Sequence, residues 1–285
     1  MRSENEIKSL ILNVAKKDER IRAVLLNGSR ANRNIPPDNF QDYDIIFIVS
    51  EIQTFLSDHT WIDIFGKRLI LQMPKEMEIG IAEDDSANFS YLMLFDDGNR
   101  IDLTLFPIEK IKEEFGFDNL SILLLDKDNL FPDLPESSDT GYLIKKPTEK
   151  EFLDCCNEFW WVSTYVAKGL WREDILYAKD MFENPVRAMF LRMIEWHVGI
   201  TTHFSVSFGK SGKNAKANVT PALWTRILNT YPNAESKNIW DSLLLMAEIF
   251  KELAKYVANE LQFNYNIDEG EKAMHYLMKV KASIK

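Results

Sequence analysis

The stretch "QDYDIIFIV", Gln41 to Val49, places two aspartates at the start of an apolar run. Residues i and i+2 of a β-strand point to the same face, so a strand here projects Asp42 and Asp44 together. Two close carboxylates repel each other and raise each other's pKa unless a cation lies between them. The pair therefore predicts a Mg²⁺ site completed by substrate phosphates. Two solvated aspartates at a strand start are the alternative.

Two further features strengthen the prediction of a metal site. An apolar run ends at Gly28, and the turn that begins there offers backbone N–H groups and the Ser29 hydroxyl to a phosphate. A simple turn is the alternative. Asp102 alternates with Ile101 and Leu103, which places it on the polar face of another strand. Together, the turn and the three aspartates are typical of phosphoryl transfer.

The rest of the first half predicts an α/β unit with a mostly β core. Apolar residues at helical spacing indicate an amphipathic helix over residues 4–19. A strand is expected over residues 67–73. The stretch from Tyr91 to Phe106 predicts a β-hairpin, because Asp97-Gly98 lies between two apolar-rich runs.

The second half has a different, helical pattern. Residues 131–147 are rich in Pro, Ser and Asp and are interpreted as a domain junction. Thr148 and Glu151 form a capping-box pair at the start of a helix. We expect an α+β protein with a sheet-based domain over residues 1–135 and an all-helical domain over residues 148–285. Further helices are predicted over residues 174–199, 221–230 and 239–261.

Composition and charge narrow the function further. The 285 residues are 46% apolar and 27% charged, with a net charge of −10. Residues 1–135 hold 15 basic and 25 acidic residues, whereas the remainder holds 19 of each, so the first half carries all the excess. Such acidity argues against a nucleic-acid partner and suits a small cationic substrate. Acidity that serves solubility alone is the alternative. The sequence has no long apolar run and no signal-peptide pattern, so we expect no membrane partner. Its two cysteines are adjacent, which is unsuited to a structural disulfide, and we expect a cytoplasmic protein.

At this point the sequence resembles a known family. Gly28-Ser29, the pair Asp42 and Asp44, and Asp102 match the nucleotidyltransferase superfamily that includes DNA polymerase β. Longer stretches are similar, more specifically, to the aminoglycoside 6-adenylyltransferases, and the resemblance covers essentially the whole chain. These stretches are "GSRANRNIPPDNFQDYD", "DLTLFPI", "LLLDKD", "DCCNEFWWVSTYVAKGLWREDILYA" and "LRMIEWH".

The resemblance implies a polymerase-β-like mixed-sheet domain followed by a helical domain, with the active site in the cleft between them. Two departures from the family pattern stand out. Gln41 replaces a serine that often precedes the first aspartate, and a glycine often found a few residues after Gly28-Ser29 is missing. Both suggest variation within a subgroup and leave the aspartates intact.

The implied reaction transfers AMP from ATP to an aminoglycoside hydroxyl, with the 6-hydroxyl of streptomycin as the first expectation, and releases pyrophosphate. Asp42 and Asp44 would bind Mg²⁺, and Ser29 with the Gly28 backbone would hold the terminal phosphates. Asp102 would act either as the general base or as a ligand of a second metal ion. The sequence leaves these two roles open.

Four basic residues are candidates for binding the nucleotide. Arg30 follows the Gly28-Ser29 turn, and Lys168 lies on the aromatic-rich helix of the second half. Lys210 and Lys213 belong to "GKSGKNAK", which lacks the glycine that a P-loop needs five positions before its Gly-Lys-Ser. A solvated basic loop is the alternative for this stretch.

Three residues of the same helix are candidates for binding the aminoglycoside. Asp154 and Glu158 could contact its amino or guanidino groups, and Trp161 could lie against its rings. Surface carboxylates and a core tryptophan are the alternatives.

Two rival functions remain from the sequence. The same fold could modify a protein or another small molecule, or the chain could bind nucleotide without catalysis. Retention of all three aspartates argues against a silent protein. A monomer or a homodimer is expected.

Overall fold

The computed structural model describes residues 1–80, 87–116 and 118–283. The chain divides into two compact units, Met1–Gly141 and Tyr142–Lys285. The first is built on a mixed β-sheet and the second is helical, which confirms the predicted α+β class.

In its described residues, the first unit contains one six-stranded sheet. Its strands are β1 (Ile21–Asn27), β2 (Tyr43–Val49), β3 (Arg68–Gln72), β4 (Phe89–Phe95), β5 (Arg100–Pro107) and β6 (Ser121–Asp126). They lie in the order β3-β4-β5-β2-β1-β6, and β2 and β5 pair in parallel at the centre. The helices are α1 (Glu4–Lys17), α2 (Ile52–Leu56) and α3 (Ile111–Glu114).

Alternation along the central strands gives the sheet one face covered by a buried apolar cluster. Tyr43, Ile45 and Phe47 of β2 pack in a buried cluster that also contains Ile7 and Ile11 of α1. Because alternate residues face opposite ways, the other face carries the polar residues at the start of β2 and β5. The apolar core therefore fixes which face presents the aspartates.

The second unit packs its helices around one large apolar cluster. The capping box at Thr148 and Glu151 forms as predicted, with reciprocal backbone and side-chain bonds. The helices are α4 (Glu149–Trp171), α5 (Ile175–Met181), α6 (Arg187–Thr201), α7 (Ala215–Asn218), α8 (Pro221–Leu228), α9 (Ser236–Leu261) and α10 (Ile267–Ala282). Cys155 and Cys156 are buried free thiols.

The structure differs from the sequence expectations in one interrupted helix and in five elements that were not expected. The helix expected over residues 174–199 is interrupted at Phe182–Val186 by a π-helical segment that contains Pro185, which has no N–H for the helical ladder. Strand β6 and the helices α2, α3, α7 and α10 were not predicted. In the described part of the chain, no helix is both long and apolar enough to cross a membrane.

Candidate active site

Directly opposed residues form a row across the sheet at the candidate site. Asp44 of β2 pairs with Asp102 of β5 in the parallel register, and with Asn27 of β1 on its other side. Residues paired in this way project to the same face of a sheet. The full row, from β4 to β6, is Leu92, Asp102, Asp44, Asn27 and Ser121.

Arg100 lies against this row and binds Asp102, which belongs to it, and Asp42, the residue before β2. Asp42, Asp44 and Asp102 together make up the aspartate row. Its Nε and Nη2 donate to the two carboxylate oxygens of Asp102 at 2.8 and 2.7 Å. Its Nη1 lies 3.5 Å from Oδ2 of Asp42. The guanidinium therefore provides positive charge at the place where the sequence predicted a metal ion.

The surroundings of Asp44 and Asp42 disfavour their ionised forms. Burial, followed by the neighbouring charges of Asp102 and Asp42, raises the pKa of Asp44 from 3.8 to about 6. Burial also raises the pKa of Asp42, while Arg100 opposes that rise. Desolvation and like charge both disfavour the ionised carboxylate, so the cluster gains from an added cation.

Gly28 brings the backbone against Asp44. Its φ is +72°, and a Cβ at this position would overlap Oδ2 of Asp44. Its N–H donates to the carbonyl of Leu120 at 3.1 Å, so that group already has a partner. Ser29 follows in the short 3₁₀ turn Gly28–Ala31 and is partly exposed. A phosphate at this turn would lie next to the carboxylate row.

The guanidinium of Arg30 is hydrogen-bonded to backbone carbonyls of the same unit. Its Nε and Nη2 donate to the carbonyl of Gln41 at 3.2 and 2.8 Å, and Nε also reaches the carbonyl of Asp42 at 3.1 Å. The guanidinium lies 3.8 Å from the ring centroid of Tyr43, and 7% of the side chain is exposed. Arg30 thus positions the backbone that leads into β2. Its role in binding nucleotide stays a prediction.

We expect Arg30→Gln to lower the free energy of unfolding by about 2 kcal/mol, because buried bonds to a charged donor are lost. Urea denaturation would measure the change. Arg33→Gln is the matched control, since Arg33 belongs to the same loop but 72% of its side chain is exposed. Unchanged stability with weaker ATP binding would show instead that Arg30 serves the nucleotide.

Four predicted residues of the second unit share one face of α4. Asp154, Glu158, Trp161 and Lys168 are spaced by four, three and seven residues, as the exposed face of a helix requires. Asp154 is bound by Lys150 at 2.7 Å. Trp161 is 60% exposed and donates to the Tyr165 hydroxyl at 2.6 Å. Its exposure leaves a flat aromatic surface available for a ligand.

The predicted lysines lie at separate places in the second unit. Lys168 lines a pocket of about 350 Å³ together with Trp171, Arg172, Tyr276, Val280 and Ser283. Lys210 and Lys213 are exposed in and beside the short 3₁₀ turn Lys210–Gly212. Their assignment to the nucleotide stays a prediction.

The donor chemistry of the aspartate row fits a hard divalent cation. Asp42, Asp44 and Asp102 offer carboxylate oxygens, which Mg²⁺ prefers, and burial together with the charges of Asp102 and Asp42 raises the pKa of Asp44. Among the described residues, no three His, Cys, Asp or Glu side chains are arranged to hold a metal ion. Both carboxylate oxygens of Asp102 accept hydrogen bonds from Arg100, so in this arrangement they are directed at the guanidinium and not at a shared metal position.

Sequence reasoning missed Arg100, Asn27 and Ser121. Arg100 stands two residues before Asp102 on one strand, so the period-two rule that paired Asp42 with Asp44 could have found it. Asn27 and Ser121, joined by a 2.9 Å hydrogen bond, reach the row only through the pairing of β1 with β6. Local sequence carried no signal for that pairing.

The chain is similar to known proteins over nearly its whole length. A family model described as streptomycin adenylyltransferase matches residues 1–280. An aminoglycoside 6-adenylyltransferase of Campylobacter jejuni is 47% identical over 99% of this chain and 96% of its own length. One of Bacillus subtilis is 44% identical over 95% of each chain. A crystal structure of an aminoglycoside 6-adenyltransferase from Bacillus subtilis is 38% identical, covers 99% of this chain and 100% of its own, and gives a TM-score of 0.49.

Proposed function

Because the chain belongs to the streptomycin adenylyltransferase family, we propose that it transfers AMP from ATP to a hydroxyl group of an aminoglycoside. It is an enzyme of the nucleotidyltransferase class. The observation that carries the proposal is the parallel pairing of Asp44 with Asp102 beside the close turn at Gly28. That arrangement suits a charged phosphate chain and a divalent cation.

We propose the 6-hydroxyl of streptomycin as the acceptor. Its oxygen attacks the α-phosphorus of ATP, the bond from that phosphorus to the bridging β-oxygen breaks, and pyrophosphate leaves. The hydroxyl proton passes to a nearby carboxylate or to water. The products are adenylylated antibiotic, which accounts for resistance, and pyrophosphate.

We propose the following roles for the residues of the site. Asp42 and Asp44, with Asp102, would hold Mg²⁺, which when bound neutralises charge on the phosphates. Because Gly28 has no side chain, its turn packs directly against Asp44. The Ser29 hydroxyl in that turn would donate to a phosphate oxygen. Asp102 acts as base or as metal ligand once its carboxylate is released from Arg100.

Exposed groups of the second unit would recognise a cationic acceptor. Glu158 and Asp154 lie on the exposed face of α4, and Trp161 adds an aromatic surface between them and Lys168. Carboxylates attract amino and guanidino groups, and an aromatic face attracts cations. We propose that this face contacts the aminoglycoside. The supply of ATP and the unpaired buried thiols Cys155 and Cys156 favour the cytoplasm.

The test is pyrophosphate release from Mg-ATP with streptomycin, a neomycin-type aminoglycoside or a lincosamide as acceptor. We expect release with streptomycin, together with a product heavier than streptomycin by one adenylyl group in mass spectrometry. Release with the lincosamide alone would replace the acceptor. No release with any acceptor, from protein that still binds ATP, would contradict the antibiotic assignment and favour a protein acceptor or a silent site.

A further inference from the structure

We propose that Arg100 acts as a resident counter-cation, which competes with the divalent cation for Asp102 and is exchanged for it when the nucleotide binds. Arg100 is then a positioning residue that makes metal binding depend on ATP. The proposal rests on the proposed function only in placing the divalent cation and the nucleotide at the aspartate row.

The first support is the geometry of the ion pair. Both oxygens of Asp102 accept from Arg100, at 2.8 and 2.7 Å, in the two-pronged arrangement that suits guanidinium and carboxylate. A divalent cation that takes an oxygen of Asp102 must therefore displace at least one of these bonds. The 3.5 Å approach of Arg100 to Asp42 extends the same competition to a second carboxylate.

The second support is charge. Asp42, Asp44 and Asp102 bring three carboxylates to one place, and Arg100 forms ion pairs with two of them, Asp42 and Asp102. Without a positive partner the three negative charges would repel each other in a half-buried setting. Arg100 thus stabilises the row before a metal ion arrives.

The third support is that Arg100 can leave. It is the first residue of β5, and 43% of its side chain is exposed, compared with 19% for Asp102. Its departure disrupts no part of the apolar clusters. A freed guanidinium beside the row would meet the phosphates of the incoming nucleotide, to which it can donate two parallel hydrogen bonds. The exchange would keep the charge of the site balanced.

The experiment compares Mn²⁺ binding by nucleotide-free wild-type protein and Arg100→Gln, with free Mn²⁺ followed by electron paramagnetic resonance. Removing the competitor should tighten Mn²⁺ binding by about tenfold, the size expected for one charge-assisted pair. Arg100→Lys, which keeps the charge but not the two-pronged geometry, should lie between them. The double variant Arg100→Gln with Asp44→Asn should lose the tighter binding.

Arg22→Gln is the matched control. Arg22 forms a similar two-pronged pair with Asp128 at the other end of β1, and its loss changes the net charge by the same amount. Equal Mn²⁺ affinity in Arg100→Gln and wild type, or no measurable binding by either, would overturn the competition. Melting curves would verify folding, and Mn²⁺ should raise the melting temperature more in Arg100→Gln than in wild type.

The two proposals fail separately. If Mn²⁺ binding responds to Arg100→Gln but no aminoglycoside is adenylylated, the acceptor assignment is wrong and the competition stands. If streptomycin is adenylylated but Mn²⁺ affinity does not respond, the enzyme assignment stands and Arg100 has a different role.

Discussion

Replacing Asp44 by Asn should lower the rate of AMP transfer by at least about a thousandfold, because a carboxylate ligand and its charge are lost from the phosphate site. Asp44 pairs with Asp102 and touches the Gly28 turn, so it lies at the centre of the row. Single-turnover transfer to streptomycin under saturating Mg-ATP would measure the loss. The exposed Asp133→Asn is the control and should retain full activity.

The same substitution should stabilise the protein at neutral pH. The pKa of Asp44 is about 6 in the folded chain and 3.8 is its ordinary value, so ionisation of this carboxyl costs the folded state free energy. Allowing for its partial exposure, we expect Asp44→Asn to raise the free energy of unfolding by about 1 to 2 kcal/mol above pH 6.

The stability difference between Asp44→Asn and wild type should depend on pH. A raised carboxyl pKa makes the folded state bind the proton more tightly, so the cost is absent where both states are protonated. The advantage of Asp44→Asn should therefore be full above pH 6 and vanish as the pH falls to about 4. Urea denaturation of both proteins at several pH values would show this. A variant less stable than wild type at pH 8 would contradict the burial and repulsion inferred for Asp44.

Gly28→Ala should have the second largest effect. The added Cβ would overlap Oδ2 of Asp44, and the φ of +72° disfavours any residue with a side chain. Asp44 must then move, and a displacement of about 1 Å in a catalytic site can lower the rate about a hundredfold. Steady-state AMP transfer would measure that loss, and denaturation should show a cost of about 1 to 2 kcal/mol for the backbone strain.

Gly98→Ala distinguishes the effect of backbone strain at a positive φ from the effect of displacing Asp44. Gly98 also has a positive φ, +82°, but its Cβ would meet the flexible end of Met1 at 3.1 Å, away from the aspartates. We expect a similar loss of stability with activity close to wild type. Equal activity losses in Gly28→Ala and Gly98→Ala would show that the approach to Asp44 has no special part in catalysis.

Much of the fold follows from local sequence. The alternation around Asp102 and the turn at Asp97-Gly98 predicted a β-hairpin, which the structure contains. The capping box at Thr148 predicted the start of a helix, which the structure also contains. Each depends on residues close together in the chain. The interruption of the helix at Pro185 was foreseeable in principle, since proline lacks the N–H that an uninterrupted helix uses.

The sequence by itself determined that Asp42 and Asp44 share a face, that Asp102 lies on a polar face, and that a helical region follows the sheet. These properties depend on periodicities of two and 3.6 residues, which local spacing reveals. Tertiary structure decided that Asp44 faces Asp102, that Arg100 also reaches Asp42 on the neighbouring strand's approach, and that Arg30 binds the backbone carbonyls of Gln41 and Asp42. Those contacts depend on strand register and on packing between segments far apart in sequence, which no local pattern specifies.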